Sequence, residues 1–189
     1  MNTALVGSHG TGKSVVYKRL HQEFPKAAFF TEGVRYQLPE FGFKDAYEVI
    51  NKYGVGAFEI FNINSWSVID PNVNTKLSKN SQIITDRSAV DNYAYFLTLA
   101  SKTDEKFKPL VKRMAQYYAS LVDRFIYFPV DVIPLVADSM RLDDQKYQKD
   151  VDENIHLAFR ELGIVPAKIY QLRSITIDDR VSEITKLIK

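Results

Sequence analysis

The chain has 189 residues, 46% of them hydrophobic and 25% charged, a balance that supports one sizeable core and excludes a mainly disordered polypeptide. It contains no cysteine, which rules out disulfides, thiolate zinc sites and cysteine nucleophiles together. A formal charge of +2 argues against a surface given over to duplex nucleic acid, while leaving a local basic groove open.

The first apolar run, residues 3–6, suits a buried strand, and Val15, Val16, Leu20 and Phe24 follow at helical spacing. Between them stands Gly7-Ser8-His9-Gly10-Thr11-Gly12-Lys13-Ser14, a complete GxxxxGK[ST] phosphate loop. Its glycines let backbone N–H groups turn toward an anion, Lys13 adds a mobile positive charge, and the Ser14 hydroxyl is the expected Mg²⁺ ligand. His9 is expected to contribute its backbone N–H rather than chemistry. Strand, loop and helix occur in the order that puts a triphosphate at a helix N-terminus, with ATP and Mg²⁺ as the implied cofactors.

Four further apolar runs, 27–30, 82–85, 125–130 and 168–172, are the other expected strands, and helical patterns separate them. The alternation predicts an α/β fold: a five-stranded parallel sheet in a three-layer P-loop arrangement, within one domain spanning 1–189. Ligands of such sheets bind outside the strand C-terminal ends, so the residues after each strand carry the functional expectation.

After the second strand come Glu32 and Arg35. Glu32 is a candidate to position or deprotonate an acceptor hydroxyl, and Arg35 to pair with Glu32 or with an anion, against a solvated loop pair without catalytic duty. A helical insert is expected over about 44–68, where Gly54 and Gly56 leave open two helices or one bent helix. After the third strand, Asp86 occupies the expected Walker B position for Mg²⁺, and the Arg87 fork suits phosphate oxygens; Asp86 as helix N-cap is compatible with both.

Helices are expected over 89–101 and 107–122, the latter with Val111, Met114, Tyr118 and Leu121 on its core face. Lys102, Lys106, Lys108, Lys112 and Arg113 there could form a basic face for a polynucleotide, or only a solvated helix side. After the fourth strand a carboxylate-rich stretch, about 131–146, reads either as a lid carrying Arg141 over the transferring phosphoryl group or as an exposed connector. A charged helix follows over 146–162, and a last one over 177–188. The segment 173–180 could line an adenine pocket through backbone groups. Aromatic residues including Phe29, Phe30, Tyr36, Tyr93 and Tyr95 cluster toward the expected substrate side, Tyr36 being the substrate-binding candidate among them.

No signal peptide is expected, since the N-terminus enters the run at 3–6 without a basic segment and a long apolar core, and no membrane span, since the longest apolar stretch, 125–137, is short and broken by Pro129, Asp131 and Pro134. A cytoplasmic protein is the expectation.

These elements together resemble the P-loop kinases related to ribosylnicotinamide kinase and the deoxynucleoside and nucleoside monophosphate kinases, which are often encoded by bacteriophages. The resemblance rests on the loop at 7–14, on Glu32 with Arg35, on Asp86-Arg87-Ser88, and on Asp138 with Arg141 followed by the acidic Asp150, Asp152 and Glu153. It implies ATP-dependent, Mg²⁺-assisted phosphoryl transfer. Lys13, Glu32, Asp86, Arg87 and Arg141 would be catalytic, and Glu32, Arg35, Tyr36 and Arg87 would hold the substrate. The acceptor stays open among a nucleoside, a nucleotide, a modified base and a polynucleotide, as does a homodimer. A nucleotide-dependent switch or ATPase acting with a protein partner is the reading from another class. Ser139-Met140 departs from the lid pattern of the relatives, and the insert carries no transferable motif.

Overall fold

The computed structural model describes residues 1–32, 34–77, 82–130 and 145–189, with 34–36 described in their backbone alone. The strands are β1 (Asn2–Val6), β2 (Ala28–Thr31), β3 (Ile83–Asp86), β4 (Arg124–Tyr127) and β5 (Ile169–Gln171). They form one parallel sheet in the order β2-β3-β1-β4-β5. The expected five strands are all present, each within a few residues of its expected span. The fourth is shorter than expected, although the Phe128 N–H still donates to the Val6 carbonyl before Pro129 interrupts the chain.

Helices α1 (Lys13–Glu23), α2 (Val34–Glu40), α3 (Ala46–Asn64), α4 (Ala89–Leu99), α5 (Lys108–Ser120), α6 (Gln145–Glu161) and α7 (Ile177–Ile188) cover the two faces of the sheet. The pleat sorts the core. Ala4 and Val6 of β1 and Phe125 and Tyr127 of β4 point to one side, joining Tyr93, Phe96, Val111, Ala115 and Ile155 from the helices between β3 and β5. Leu5 and Ile126, with Phe128 just beyond β4, point to the other, against Val16 and Leu20 of α1 and Ile184 of α7. Because both faces are buried, the strands are continuous apolar runs instead of alternating ones, the signature that made them legible.

The insert resolves into one helix bent at Gly54, whose φ of 86° lies outside the helical region, followed by a 3₁₀ turn over Ser65–Ile69. The bend has a partner: Asp104 Oδ1 accepts the Gly56 N–H at 3.0 Å, and a Cβ on Gly56 would come within 2.4 Å of the Phe107 ring. The short α2, with Pro39 inside it, was not foreseen. On α5, Val111 is fully buried, and Met114, Tyr118 and, at the helix C-cap, Leu121 pack on the same core half-buried. Among the described residues no helix is long and apolar enough to cross a membrane.

Candidate active site

Two glycines make the loop. A Cβ on Gly7 would sit 2.6 Å from the Phe128 carbonyl oxygen, so the backbone just beyond β4 allows no side chain there. Gly12 is the N-cap of α1 at φ 84°, a left-handed conformation that glycine adopts without strain. No side chain caps α1, which leaves its first N–H groups facing the loop. The Lys13 ammonium lies within the loop, donating to the carbonyls of Gly7 at 2.5 Å and Ser8 at 2.6 Å and to Thr11 Oγ1 at 3.2 Å.

One cleft joins the loop to the strand ends. His9, Gly10, Thr11, Gly12, Lys13, Ser14 and Val15 line it on one side, and Thr31, Glu32, Asp86 and Arg87 on the other. β1 places Leu5 beside Asp86, and β2 places Thr31 on the opposite side of Asp86, so the three strand ends converge on this cleft. The backbone carbonyl of His9 accepts from Gln148 Nε2 at 2.7 Å, and its ring packs 5.3 Å from that of Tyr147, so α6 seals one wall.

Asp86 is 8% exposed, and its Oδ1 is buried without a hydrogen-bond partner. An orphaned carboxylate oxygen opposite the Ser14 hydroxyl fits an oxygen-seeking cation such as Mg²⁺, which takes only one or two protein ligands beside phosphate. The cap of α4 is Ser88 rather than Asp86. Ser88 and Asp91 form a capping box, Asp91 Oδ2 accepting from the Ser88 N–H at 2.8 Å and from its hydroxyl at 3.1 Å.

Glu32 and Arg87 face each other across the cleft, with Arg87 Nε 3.6 Å from Glu32 Oε2 and both side chains about 15% exposed or less. Arg87 also lies over the Tyr95 ring at 4.9 Å. Burial opposes its charge, but the Tyr95 hydroxyl and the carboxylates of Glu32 and Asp91 outweigh that and raise its pKa. Glu32 is thus paired by Arg87, while the side chains of Arg35 and Tyr36, and all of Arg141 with the expected lid (about 131–146) up to residue 144, lie outside the described residues.

Behind Glu32 stands a polar cluster that sequence reasoning missed. Asn92 Nδ2 donates to Glu32 Oε1 at 3.2 Å, and Trp66 Nε1 donates to Asn92 Oδ1 at 2.8 Å, which fixes the amide so that its N–H groups face the carboxylates. Next to it Glu59, 2% exposed, has its pKa pushed up to about 8 by burial and by the Glu32 charge, against the lowering influence of Asn62, Asn92 and Arg87. Arg180 was missed as well. It is fully buried on α7, donates from Nη1 to the Thr11 carbonyl at 2.7 Å and from Nε to the Ser174 carbonyl at 2.9 Å, and so braces the loop from behind.

A parallel sheet with a glycine loop at the end of β1 and a carboxylate at the end of β3 defines the P-loop NTPase class of fold. Residues 2–174 match the model of the AAA domain family, and the chain belongs to that family. No curated protein matches it closely enough to count as a relative. Solved structures share the fold. The NadR protein in complex with NAD and AMP-PNP is 17% identical at a TM-score of 0.66 over 97% of this chain, which spans only 48% of that one. Deoxyadenosine kinase from M. mycoides, with dCMP and dCDP, is 16% identical at 0.67, covering 99% and 98%. Thymidylate kinase from Candida albicans is 14% identical at 0.62, covering 98% and 89%. At such identities the likeness is one of fold, and it agrees with the nucleoside- and nucleotide-kinase resemblance carried by the motifs.

Proposed function

We propose that the protein is a kinase that moves the γ-phosphoryl group of ATP to a nucleoside-like acceptor, with a nucleoside monophosphate as the alternative acceptor. The observation that carries this reading is the position of Glu32, in the same cleft as the phosphate loop and held by Arg87 and Asn92.

The loop amides and Lys13 bind the β- and γ-phosphates, Lys13 exchanging the Gly7 and Ser8 carbonyls for phosphate oxygens. Ser14 and Asp86 would hold Mg²⁺, which when bound offsets charge on the β- and γ-phosphates. Glu32 accepts the proton of the attacking hydroxyl as the new O–P bond forms and the bond from the γ-phosphorus to the bridging oxygen breaks, releasing ADP. Arg87, on the same cleft, would offset the charge that develops on the transferring group.

A hydroxyl acceptor is favoured over a phosphate by the charges on the acceptor side. Among the described residues the Glu32 carboxylate faces a single guanidinium, that of Arg87, already engaged by Glu32 and Tyr95. The polynucleotide reading is weakened at two of its lysines, since Lys112 pairs with Glu161 at 3.1 Å and Lys106 lies over the Phe107 ring. The test is one incubation with γ-labelled ATP across nucleosides, monophosphates, ribosylnicotinamide and oligonucleotides. Label on a nucleoside is the expected result. Label released only as inorganic phosphate, whatever the acceptor, overturns the kinase reading.

A further inference from the structure

The peptide plane between His9 and Gly10 carries two groups that a trans peptide points in opposite directions, the His9 carbonyl and the Gly10 N–H. Gln148 Nε2 donates to the carbonyl at 2.7 Å. Gln148 is 5% exposed and does not line the phosphate cleft, whereas His9 and Gly10 both do. The carbonyl is therefore turned out of the cleft toward α6, and the Gly10 N–H is turned into it. No backbone acceptor among the described residues takes that N–H.

This plane needs a hold from outside the loop. Gly10 has a φ of 72°, and glycine takes φ of either sign at little cost, so the plane turns over easily. Turned over, it would present a carbonyl oxygen to phosphate instead of a donor. Lys13 cannot supply the hold, because its ammonium is bound to the carbonyls of Gly7 and Ser8 and is the group that exchanges them for phosphate oxygens. Gln148 has no such duty. Its helix is fastened to the sheet one turn further on, where the Tyr127 hydroxyl donates to Asp152 Oδ1 at 2.7 Å, and the neighbouring Tyr147 ring packs against the ring of His9. Arg180 treats a second plane in the same way, since its bond to the Thr11 carbonyl turns the Gly12 N–H in the opposite direction.

We propose that Gln148 is a positioning residue for phosphate binding, holding the His9 carbonyl toward α6 so that the Gly10 N–H donates to a phosphate oxygen of the bound triphosphate. This rests on the triphosphate-binding part of the kinase reading and is independent of the acceptor. A buried amide is costly unless bonded, and methionine would fill nearly the same space without that cost. What glutamine adds at 148 is the N–H that fixes the loop from a helix that does not itself touch phosphate.

The experiment compares the full wild-type chain with Gln148→Met, which keeps the length of the side chain and removes the donor without adding charge. Inorganic tripolyphosphate with Mg²⁺ is the probe, because it reads the loop without base or acceptor. Calorimetry should show binding weakened by about tenfold or more in Gln148→Met. In amide spectra of isotope-labelled protein, the Gly10 N–H of the wild type should move downfield on saturation with tripolyphosphate, and that of Gln148→Met should not. A role in stability alone would lower the unfolding midpoint and leave both readouts in place. Wild-type affinity in Gln148→Met, or a Gly10 resonance that responds equally in both proteins, overturns the proposal, as does a wild type that does not bind tripolyphosphate. Should Gln148→Met not fold, the wild type decides: the Gln148 side-chain amide should stay protected from exchange while the Gly10 N–H moves, and failure of either signal overturns the proposal. Tripolyphosphate binding with the expected Gly10 shift but no transfer of label from ATP to any acceptor, by contrast, overturns the kinase reading and upholds the role of Gln148.

Discussion

Asp91 Oδ1 accepts the N–H of Gly7 at 3.0 Å, so the first turn of α4 is tied to the first residue of the phosphate loop. The other oxygen of the same carboxylate holds Ser88 at the end of the β3 loop. One fully buried side chain therefore fixes the spacing between the loop and the segment carrying Asp86 and Arg87. Burial raises the Asp91 pKa, against the lowering effect of Lys13, Arg87 and these N–H donors, which marks it as a carboxylate sustained by its neighbours.

Replacing Asp91 with alanine should therefore damage stability and nucleotide binding together. Three donors lose their acceptor in a buried site, which corresponds to a loss of about 3 kcal/mol or more in denaturant unfolding. The ATP KM should rise by at least about tenfold, since the loop loses its anchor. Asp91→Asn keeps one acceptor oxygen and should fall between the two. An alanine variant with wild-type ATP KM would show that the loop holds its shape without α4.

Arg87 combines a strained backbone with a committed side chain. Its φ of 80° is the only positive value among non-glycine residues described, a conformation that costs on the order of 1–3 kcal/mol. The strain is held by the Arg87 N–H donating to the Leu5 carbonyl at 2.9 Å and by Thr85 Oγ1 donating to the Arg87 carbonyl at 2.8 Å. Arg87→Gly relieves the backbone and deletes the guanidinium. It should cut kcat/KM by a factor on the order of 100 or more while lowering the unfolding midpoint little. Arg87→Lys restores charge without the fork or the contact with Tyr95, and should recover only part of the activity. Full recovery by lysine would reduce the role of Arg87 to point charge.

Glu32, Asp86 and the loop were legible because each lies directly at the end of an apolar run, where the chemistry and the strand signal are adjacent in sequence. The supporting residues were not, because their partners are remote. Asn92 meets Glu32 across 60 residues, Asp91 meets Gly7 across 84, and Arg180 meets Thr11 across 169. Glu59 and Asn62 sit among apolar residues of a helix whose burial is decided by its packing against α4 and α5. One signal was readable: Ser88-x-x-Asp91 is a capping-box spacing, and it moves the α4 cap from Asp86 to Ser88. That frees the Asp86 carboxylate for the cleft.

Arg180 gives a test of the loop from its other side. Its guanidinium is buried over the Phe128 ring at 5.5 Å, with desolvation lowering its pKa, and its hydrogen-bond acceptors are the backbone carbonyls of Thr11 and Ser174. Arg180→Met keeps much of the packed stem but leaves two carbonyls without their donors. Relief of charge burial offsets part of the loss, so destabilisation of about 1–3 kcal/mol is expected. Because Thr11 belongs to the phosphate loop, the ATP KM should rise several-fold with the acceptor KM unchanged, read by varying each substrate in turn. Equal changes in both constants would assign Arg180 to general stability.

Glu59 makes a separate prediction for folding. Its carboxyl ionises near 4.5 when unfolded and at about 8 in the fold, so between those values the native state holds more protons than the unfolded one. Its contribution is fully present below pH 4.5 and is lost progressively as pH rises through about 8, the reverse of a salt-bridged carboxylate. Glu59→Gln cannot ionise and loses nothing over that range. The melting temperature of the wild type should therefore fall relative to that of Glu59→Gln between pH 6 and pH 9, by at least about 2 °C for a domain of this size. The Glu32 charge contributes to the upward shift, so in a Glu32→Gln background the same relative fall should be smaller. Parallel melting curves for the wild type and Glu59→Gln across that interval would mean that Glu59 ionises in the fold as it does in water.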